Sequence, residues 1–125
     1  METIRTDKAP AAIGPYSQAK KAAGWVFCSG QIPLDPETGN VAGTEITAQT
    51  ERALENLTHV LSAAGARPED VLKTTCFLAD IADFSAFNEV YAKYFPSGPA
   101  RSCVAARGLP KGVLVEVEAI AYIGD

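Results

Sequence analysis

The chain has 125 residues, of which 47% are hydrophobic and 21% are charged, and it carries a net charge of −4 with a pI near 5.0. This length suits a single domain, which we expect to span residues 1–125. The acidic balance and the dispersed Lys and Arg disfavour a nucleic-acid binder, because such proteins present a basic face. No run approaches the ~20 apolar residues of a membrane span, so we expect no membrane association.

The cysteines and the histidine bear on compartment and metal content. Cys28, Cys76 and Cys103 are odd in number and show no CxxC spacing, which indicates reduced thiols rather than a disulfide framework. His59 is the only histidine, so the usual ligand spacing of a zinc site is missing and we expect no metal. The N-terminal METIRTDKAP has no apolar run typical of a signal peptide, and we expect a cytoplasmic protein.

The first third of the chain is rich in turns. Gly14-Pro15 marks a turn before Tyr16, and WVFCSGQI at 25–32 has the aromatic and β-branched residues of a strand that ends at Gly30. The following PLDPETGN contains two prolines and a Thr-Gly-Asn, which predicts a surface loop or hairpin turn.

Residues 45–64 show the clearest helical pattern. Apolar residues recur with helical spacing at Leu54, Leu57, Leu61 and Ala64, and Gly65 is suited to the position just beyond the C-terminal end. His59 lies on the flank of this stripe, where we expect a surface residue.

A strand and a second helix follow. VLKTTCFLA at 71–79 is apolar on both faces, which indicates a central strand. The next helix is predicted from about residue 83 to 95, with Pro96 stopping it. Its buried stripe is predicted to contain Phe84, Phe87, Tyr91 and Tyr94. Asn88 lies at the edge of this stripe, and from the pattern alone it would be exposed to solvent.

The chain ends in two predicted strands, ARSCVA and VLVEVEAIAY, joined by the turn-rich RGLPKG. The order of elements predicts an α+β domain in which two helices pack on one face of a mixed sheet. The other face of the sheet would remain uncovered and apolar, so we expect a homo-oligomer that covers it.

These two strands also carry charged residues. Arg101 and Cys103 share one strand face, as do Glu116 and Glu118, because alternate side chains in a strand point the same way. If the strands form a hairpin about Leu109, these groups meet on the open face of the sheet. An Arg fork can bind a carboxylate and a glutamate can activate water, which suits hydrolysis of a small anion; a structural Arg–Glu pair beside a buried Cys remains the alternative.

Five collinear blocks resemble the RidA/YjgF family of reactive-intermediate deaminases. They are APAAIGPYSQA near the N-terminus, SGQIP at 29–33, KTTCFLADIADF at 73–84, the NxxY of Asn88–Tyr91, and PARSCV followed by LP and VEVEAIA. The resemblance implies a fold like that of the trimeric chorismate mutases, with a homotrimer whose active sites lie between subunits. It also implies hydrolysis of 2-imino acids or their enamine tautomers, such as 2-iminopropanoate and 2-iminobutanoate, to 2-oxo acids and ammonia without a cofactor.

The resemblance assigns roles to individual residues. Arg101 is expected to bind the substrate carboxylate, Glu116 rather than Glu118 to activate the water, and Cys103 to line the site of that water. Tyr16, Ser29, Gly30 and Asn88 match residues that shape the rest of the substrate site. We do not expect Cys103 to act as a covalent nucleophile, because no histidine or lysine is placed to lower its pKa.

Two features leave other interpretations open. The segment FPSGPARS is shorter than in many family members, so the size of the accepted substrate side chain is not fixed by the resemblance. A non-catalytic module that binds small carboxylates, or a chaperone-like module, would use the same scaffold. Some members have been described as translation-inhibiting ribonucleases, which the acidic pI and the lack of a basic, aromatic surface disfavour here.

Overall fold

The computed structural model describes residues 1–124 and contains six strands and two α-helices. The strands are β1 (Glu2–Ile4), β2 (Ala19–Ala22), β3 (Trp25–Gln31), β4 (Val71–Leu78), β5 (Ala100–Ala105) and β6 (Val115–Tyr122). The helices are α1 (Ile46–Ala63) and α2 (Phe84–Tyr94). Short 3-10 turns at Pro68–Asp70, Ile81–Asp83 and Pro110–Gly112 connect them.

All six strands form one sheet in the order β1-β2-β3-β6-β4-β5. The β4–β5 pair is parallel, while the other neighbours are antiparallel, so the sheet is mixed as predicted. The register between β3 and β6 shifts between Cys28 and Gln31, which places an irregularity at Ser29 and Gly30. Such bulges change the direction of side chains locally.

The two helices pack on one face of this sheet, as the sequence predicted. Leu54, Leu57 and Leu61 of α1 are fully buried, and each such side chain stabilises the fold by about 1.5–3 kcal/mol relative to an exposed one. The strands supply the facing apolar layer, including Val26, Val115 and Val117. Gly65 follows α1 with φ of +84°, a conformation that glycine adopts without strain.

The second helix differs in detail from its predicted stripe. Phe87 and Tyr91 are buried as expected, and Val90 joins them, while Phe84 and Tyr94 are only partly buried. His59 is also partly buried rather than simply exposed, and its Nδ1 lies 2.8 Å from the backbone carbonyl of Lys8. The histidine therefore attaches the N-terminal segment to α1.

The predicted hairpin between the last two strands is wrong. β4 lies between β5 and β6, so the two strands do not pair with one another. The connection 106–114 instead passes the end of β4 through the turn Pro110–Gly112. The sequence pattern also missed the short strands β1 and β2, which lie in the turn-rich first third and form one end of the sheet.

The second face of the sheet carries large side chains without a covering element in residues 1–124. Phe27 of β3 and Val104 of β5 are 51% and 48% exposed. Trp25 and Tyr122 stack on one another at a centroid distance of 4.8 Å, and both remain partly exposed. We call this surface the open face.

Candidate functional site

Arg101 lies on β5, one of the two edge strands, where it is aligned with Thr74 of β4. Its side chain extends towards α2 on the helix-covered face of the sheet, and its Nη1 donates a hydrogen bond to Asn88 Oδ1 at 2.6 Å. The guanidinium carbon also lies 4.7 Å from the ring centroid of Tyr91. A guanidinium has five N–H donors, so this bond leaves others free for a ligand.

Cys103 follows Arg101 by two residues and therefore points to the same face of β5. Its directly aligned neighbour on β4 is Cys76. Burial raises the pKa of the Cys103 thiol, and the charge of Arg101 lowers it by a smaller amount. The thiol is thus protonated near neutral pH, which agrees with the expectation that it is no covalent nucleophile. Asn88, Arg101 and Cys103 are hereafter the arginine group.

Glu116 lies on the open face, at the bulge between β3 and β6. A Cβ atom added to Gly30 would collide with the Glu116 carboxylate, so the glutamate occupies the space that the missing side chain leaves. Burial raises the pKa of Glu116, and the negative charge of Glu118 raises it further. No ion pair within residues 1–124 includes either glutamate.

Ser29 connects this position to the N-terminal loop. Its hydroxyl donates a hydrogen bond to the Ser17 carbonyl at 2.6 Å, and its backbone N–H donates to the Gln18 carbonyl at 2.9 Å. Tyr16 precedes Ser17 and is 55% exposed. Tyr16, Ser29, Gly30 and Glu116 are hereafter the glutamate group.

Gln18, which the sequence reasoning did not select, holds this loop in place. Only 3% of the residue is exposed. Its Oε1 accepts from the Thr6 backbone N–H at 2.7 Å, while its Nε2 donates to the carbonyls of Thr6 and Pro10 at 3.1 and 2.8 Å. A buried amide in a turn-rich segment is the type of residue that could have drawn attention, because its polar atoms need partners.

The two groups point to opposite faces of the sheet, which corrects the prediction that they meet on the open face. Arg101 is aligned with Thr74, and Thr74 with Ala119, on the helix-covered side. Glu116 is instead aligned with Phe77. Phe77 lies an odd number of positions from Thr74 along β4, so Glu116 points to the open side. The error follows from the hairpin that does not form, since alternation fixes faces within a strand but not between strands.

Two open cavities lie near the glutamate group. One, of about 320 Å³, is lined by Ser17, Lys20, Phe27, Cys28, Ser29 and Glu118. The other, of about 310 Å³, lies in the N-terminal loop and includes Tyr16 and Gln18. Arg101 lines neither of them.

Residues 1–124 contain neither a candidate metal cluster nor a helix that could span a membrane. No cluster of three or more His, Cys, Asp and Glu side chains in this range could hold a metal ion. Nor does any helix there combine the length and apolar character needed to cross a bilayer.

The protein is a small α+β domain. Its candidate site residues lie on the edge strand β5 and the facing helix α2, and around the bulge between β3 and β6. The chain matches the family described as Endoribonuclease L-PSP over residues 6–123, and it belongs to this family, which includes the YjgF, RutC and RidA proteins. The resemblance seen in the sequence is thereby confirmed.

Three similar proteins illustrate the match. A RutC family protein of Pyrococcus abyssi is 52% identical, covering 97% of this chain and 96% of its own. The 2-iminobutanoate/2-iminopropanoate deaminase of Salmonella typhimurium is 47% identical, with 96% of both chains covered. The crystal structure of E. coli TdcF with bound serine superposes with a TM-score of 0.95 at 41% identity, covering 99% of this chain and 100% of that one.

Proposed function

We propose that this protein is a hydrolytic deaminase that converts 2-imino acids, or their enamine tautomers, to 2-oxo acids and ammonia. The observation that carries the proposal is the ordered guanidinium of Arg101, which has free N–H donors and no ion pair within residues 1–124. An unpaired Arg fork suits a carboxylate, which every 2-imino acid has. The Salmonella relative, a 2-iminobutanoate/2-iminopropanoate deaminase, supports this substrate class.

The reaction is a hydrolysis of a C=N bond. Arg101 binds the substrate carboxylate and sets the imine carbon in position. The Glu116 carboxylate accepts a proton from a water molecule as its oxygen bonds to that carbon, which gives a tetrahedral carbinolamine. That proton passes to the nitrogen, and the same carboxylate then takes the hydroxyl proton of the carbinolamine and delivers it to the nitrogen as the C–N bond breaks and the C=O bond forms, so that ammonia leaves. Cys103 lines the site of the water.

A complete site requires two chains in this proposal. Arg101 and Glu116 face opposite sides of one sheet, so the arginine group of one subunit would meet the glutamate group of a neighbour. The exposed side chains of the open face, including Phe27 and Val104, support a closed homo-oligomer that covers them. We propose a homotrimer, the assembly that the family resemblance implies.

The raised pKa of Glu116 fits the role of a base. Burial and the charge of Glu118 raise the pKa of Glu116, which makes its carboxylate a stronger proton acceptor than an ordinary glutamate. The bulge and the missing side chain at Gly30 give this carboxylate its space. These two features distinguish Glu116 from the exposed Glu118.

The proposal is tested by ammonia release from 2-iminopropanoate and 2-iminobutanoate, generated in the assay because these compounds are labile. Wild type should accelerate the release, and Arg101→Ala should lower kcat/KM roughly 100-fold or more. Arg101→Lys should also be severely impaired, since it keeps the charge but loses the fork. Arg52→Ala is the matched control, because Arg52 lies on α1 and pairs with Glu55 at 2.9 Å. Wild-type turnover by an intact Arg101→Ala oligomer would refute the proposal.

A non-catalytic carboxylate binder is the second candidate, favoured by the serine bound to E. coli TdcF. The two candidates differ at Glu116. A deaminase should lose about 100-fold or more in kcat on Glu116→Gln while still binding a product such as 2-oxobutanoate. A pure binder would show no turnover above the uncatalysed rate in wild type, with binding unchanged in the variant.

A further inference from the structure

The guanidinium of Arg101 is held by three side chains of α2. Its Cζ lies 4.7 Å from the Tyr91 ring centroid and 5.3 Å from that of Phe84, while Asn88 accepts the hydrogen bond from Nη1. Residues 84, 88 and 91 are spaced by four and three, so they form one stripe along the helix. This stripe therefore contacts the guanidinium through two aromatic rings and one amide.

The Tyr91 ring is itself fixed by the core. Its hydroxyl lies 2.6 Å from Thr74 Oγ1, and Thr74 has no exposed surface. The Phe87 and Phe95 rings pack against it at centroid distances of 5.5 and 4.9 Å. Tyr91 is only 7% exposed, so its ring cannot turn without breaking a buried hydrogen bond.

Thr74 connects the Tyr91 ring to the strand pair that carries Arg101. It is the residue of β4 directly aligned with Arg101 of β5. The backbone ladder thus fixes the distance between these two residues, while Tyr91 spans from the Thr74 hydroxyl to the guanidinium. Arg101 is therefore held at its backbone by the pairing of β5 with β4, and at its guanidinium by the Tyr91 ring.

We propose that Thr74, Tyr91 and Phe84 are positioning residues that preorganise Arg101 for a carboxylate ligand. Arginine has many rotamers, and a free guanidinium loses that freedom when it binds. Stacking on two rings and bonding to Asn88 removes most of this freedom before the ligand arrives. The remaining N–H groups of the guanidinium are then available to a carboxylate. This inference rests on the proposed function, in which Arg101 binds the substrate carboxylate.

A merely structural role for the same residues predicts a different result. Their loss would then lower stability without changing how well a carboxylate binds to the protein that remains folded. A positioning role predicts weaker binding, a raised KM and a mobile guanidinium, with kcat much less affected because the water-activating glutamate belongs to the other group.

The experiment uses Phe84→Leu and Thr74→Val in the full chain. Phe84 is partly buried, so its variant should fold, and Thr74→Val removes a hydroxyl that touches no ligand. Tyr94→Leu is the matched control for Phe84→Leu: it lies on the same helix, and its hydroxyl is directed to the Glu51 carbonyl at 3.4 Å, away from Arg101. The probe is 2-oxobutanoate, whose Kd is measured by calorimetry, with KM and kcat measured on 2-iminobutanoate.

A further readout does not depend on activity. Nitrogen NMR of the Arg101 side chain reports rotation about the Nε–Cζ bond, which should be hindered in wild type and in Tyr94→Leu and faster in Phe84→Leu and Thr74→Val. We expect Phe84→Leu to raise the Kd and KM about threefold to tenfold, with kcat within about twofold of wild type. The double variant Thr74→Val/Tyr91→Phe should recover stability lost in Thr74→Val, because neither buried partner then remains unpaired, but its Kd should stay raised, because the hydrogen bond that fixes the Tyr91 ring is still absent.

The outcomes separate this inference from the proposed function. An unchanged Kd and unchanged guanidinium rotation in folded Phe84→Leu and Thr74→Val would overturn the positioning role, even if Arg101→Ala abolishes activity. Failure of wild type to bind 2-oxobutanoate would overturn it as well. Binding without turnover in wild type would refute the deaminase but leave the positioning role supported if the variants weaken binding as described.

Discussion

Arg101 and Glu116 point to opposite faces of the same sheet. Arg101 is aligned through Thr74 with Ala119 on the helix-covered side, whereas Glu116 is aligned with Phe77 on the open side. The two residues proposed to bind the carboxylate and to activate the water therefore cannot face a common site within one chain. This relationship makes the proposed assembly directly testable.

Mixed oligomers of two inactive variants should recover activity. If Arg101→Ala and Glu116→Gln chains are refolded together in equal amounts, a site is intact when its arginine comes from a Glu116→Gln chain and its glutamate from an Arg101→Ala chain. Random assembly makes this true for about one quarter of the sites, and so about one quarter of wild-type kcat is expected. Ammonia release from 2-iminobutanoate measures it.

The control mixes Arg101→Ala with the double variant Arg101→Ala/Glu116→Gln, which can form no intact site. It should show no recovery. The activity of the first mixture is compared with the summed activities of Arg101→Ala and Glu116→Gln assayed alone. If the mixture is no more active than that sum, sites are not shared between chains. Native mass spectrometry of the same samples gives the number of subunits and establishes that mixed species were present.

The missing side chain at Gly30 leaves the space that the Glu116 carboxylate occupies. Replacing Gly30 with Ala introduces a Cβ that collides with the Glu116 carboxylate, so the glutamate must move away from its position. We expect kcat for 2-iminobutanoate to fall about 10-fold to 100-fold, the scale expected when a general base is misplaced. The free energy of unfolding should change little, because the displaced side chain is flexible and partly exposed.

Gly108→Ala is the matched control for this change. The backbone φ of Gly108 lies outside the positive range that alanine avoids, and no neighbouring atom lies within 4 Å of an added Cβ. It should leave kcat within about twofold of wild type. Equal kinetics of the two alanine variants would contradict the assignment of the space at Gly30 to Glu116.

The pH dependence should respond to Glu118. Burial raises the pKa of Glu116, and the charge of Glu118 raises it further. The base must be ionised to accept a proton, so the acidic limb of kcat/KM reports this pKa. Removing the neighbouring charge with Glu118→Gln lowers the pKa of Glu116 and should shift the acidic limb to lower pH.

Glu118→Asp retains the charge and is expected to keep the acidic limb near its wild-type position. The measurement is a pH profile of kcat/KM on 2-iminopropanoate for wild type and both variants. An acidic limb that moves to higher pH in Glu118→Gln, or that does not move at all, would contradict the electrostatic coupling between the two glutamates.

The sequence predicted local structure far better than strand order. The apolar spacing of Leu54, Leu57 and Leu61 identified α1 because one helix face must be buried, and this depends on nearby residues alone. Strand partners depend on the whole chain. The short RGLPKG segment resembles a hairpin connection, but β4 takes the place between β5 and β6.

The same distinction applies to the candidate site. Alternation along β5 correctly placed Arg101 and Cys103 together, and alternation along β6 placed Glu116 with Glu118. It could not show that the two pairs face opposite sides, since that depends on the register of each strand with β4. The contact between Tyr91 and Arg101 was also missed, because an aromatic residue in a helical stripe is equally typical of an ordinary core.

Gln18 connects the N-terminal loop to the candidate site. Its side-chain amide accepts a hydrogen bond from the Thr6 N–H and donates to the carbonyls of Thr6 and Pro10, so both Oε1 and Nε2 have partners. Gln18→Glu keeps the size but removes the donor and places a carboxylate among carbonyl oxygens. We expect the free energy of unfolding to fall by about 1–3 kcal/mol at neutral pH, from the lost hydrogen bonds to buried carbonyls.

The loss should be smaller at acidic pH, because the introduced carboxyl group regains one O–H donor when it is protonated. Denaturant unfolding at neutral and acidic pH measures the difference, and hydrogen exchange at the Thr6 amide reports whether the loop itself has loosened. Gln31→Glu is a useful comparison, since the Gln31 amide makes one longer bond to the Ser29 carbonyl at 3.3 Å. If Gln18→Glu destabilised the protein no more than Gln31→Glu and left the Thr6 amide protected, Gln18 could not be the residue that anchors the loop before Tyr16.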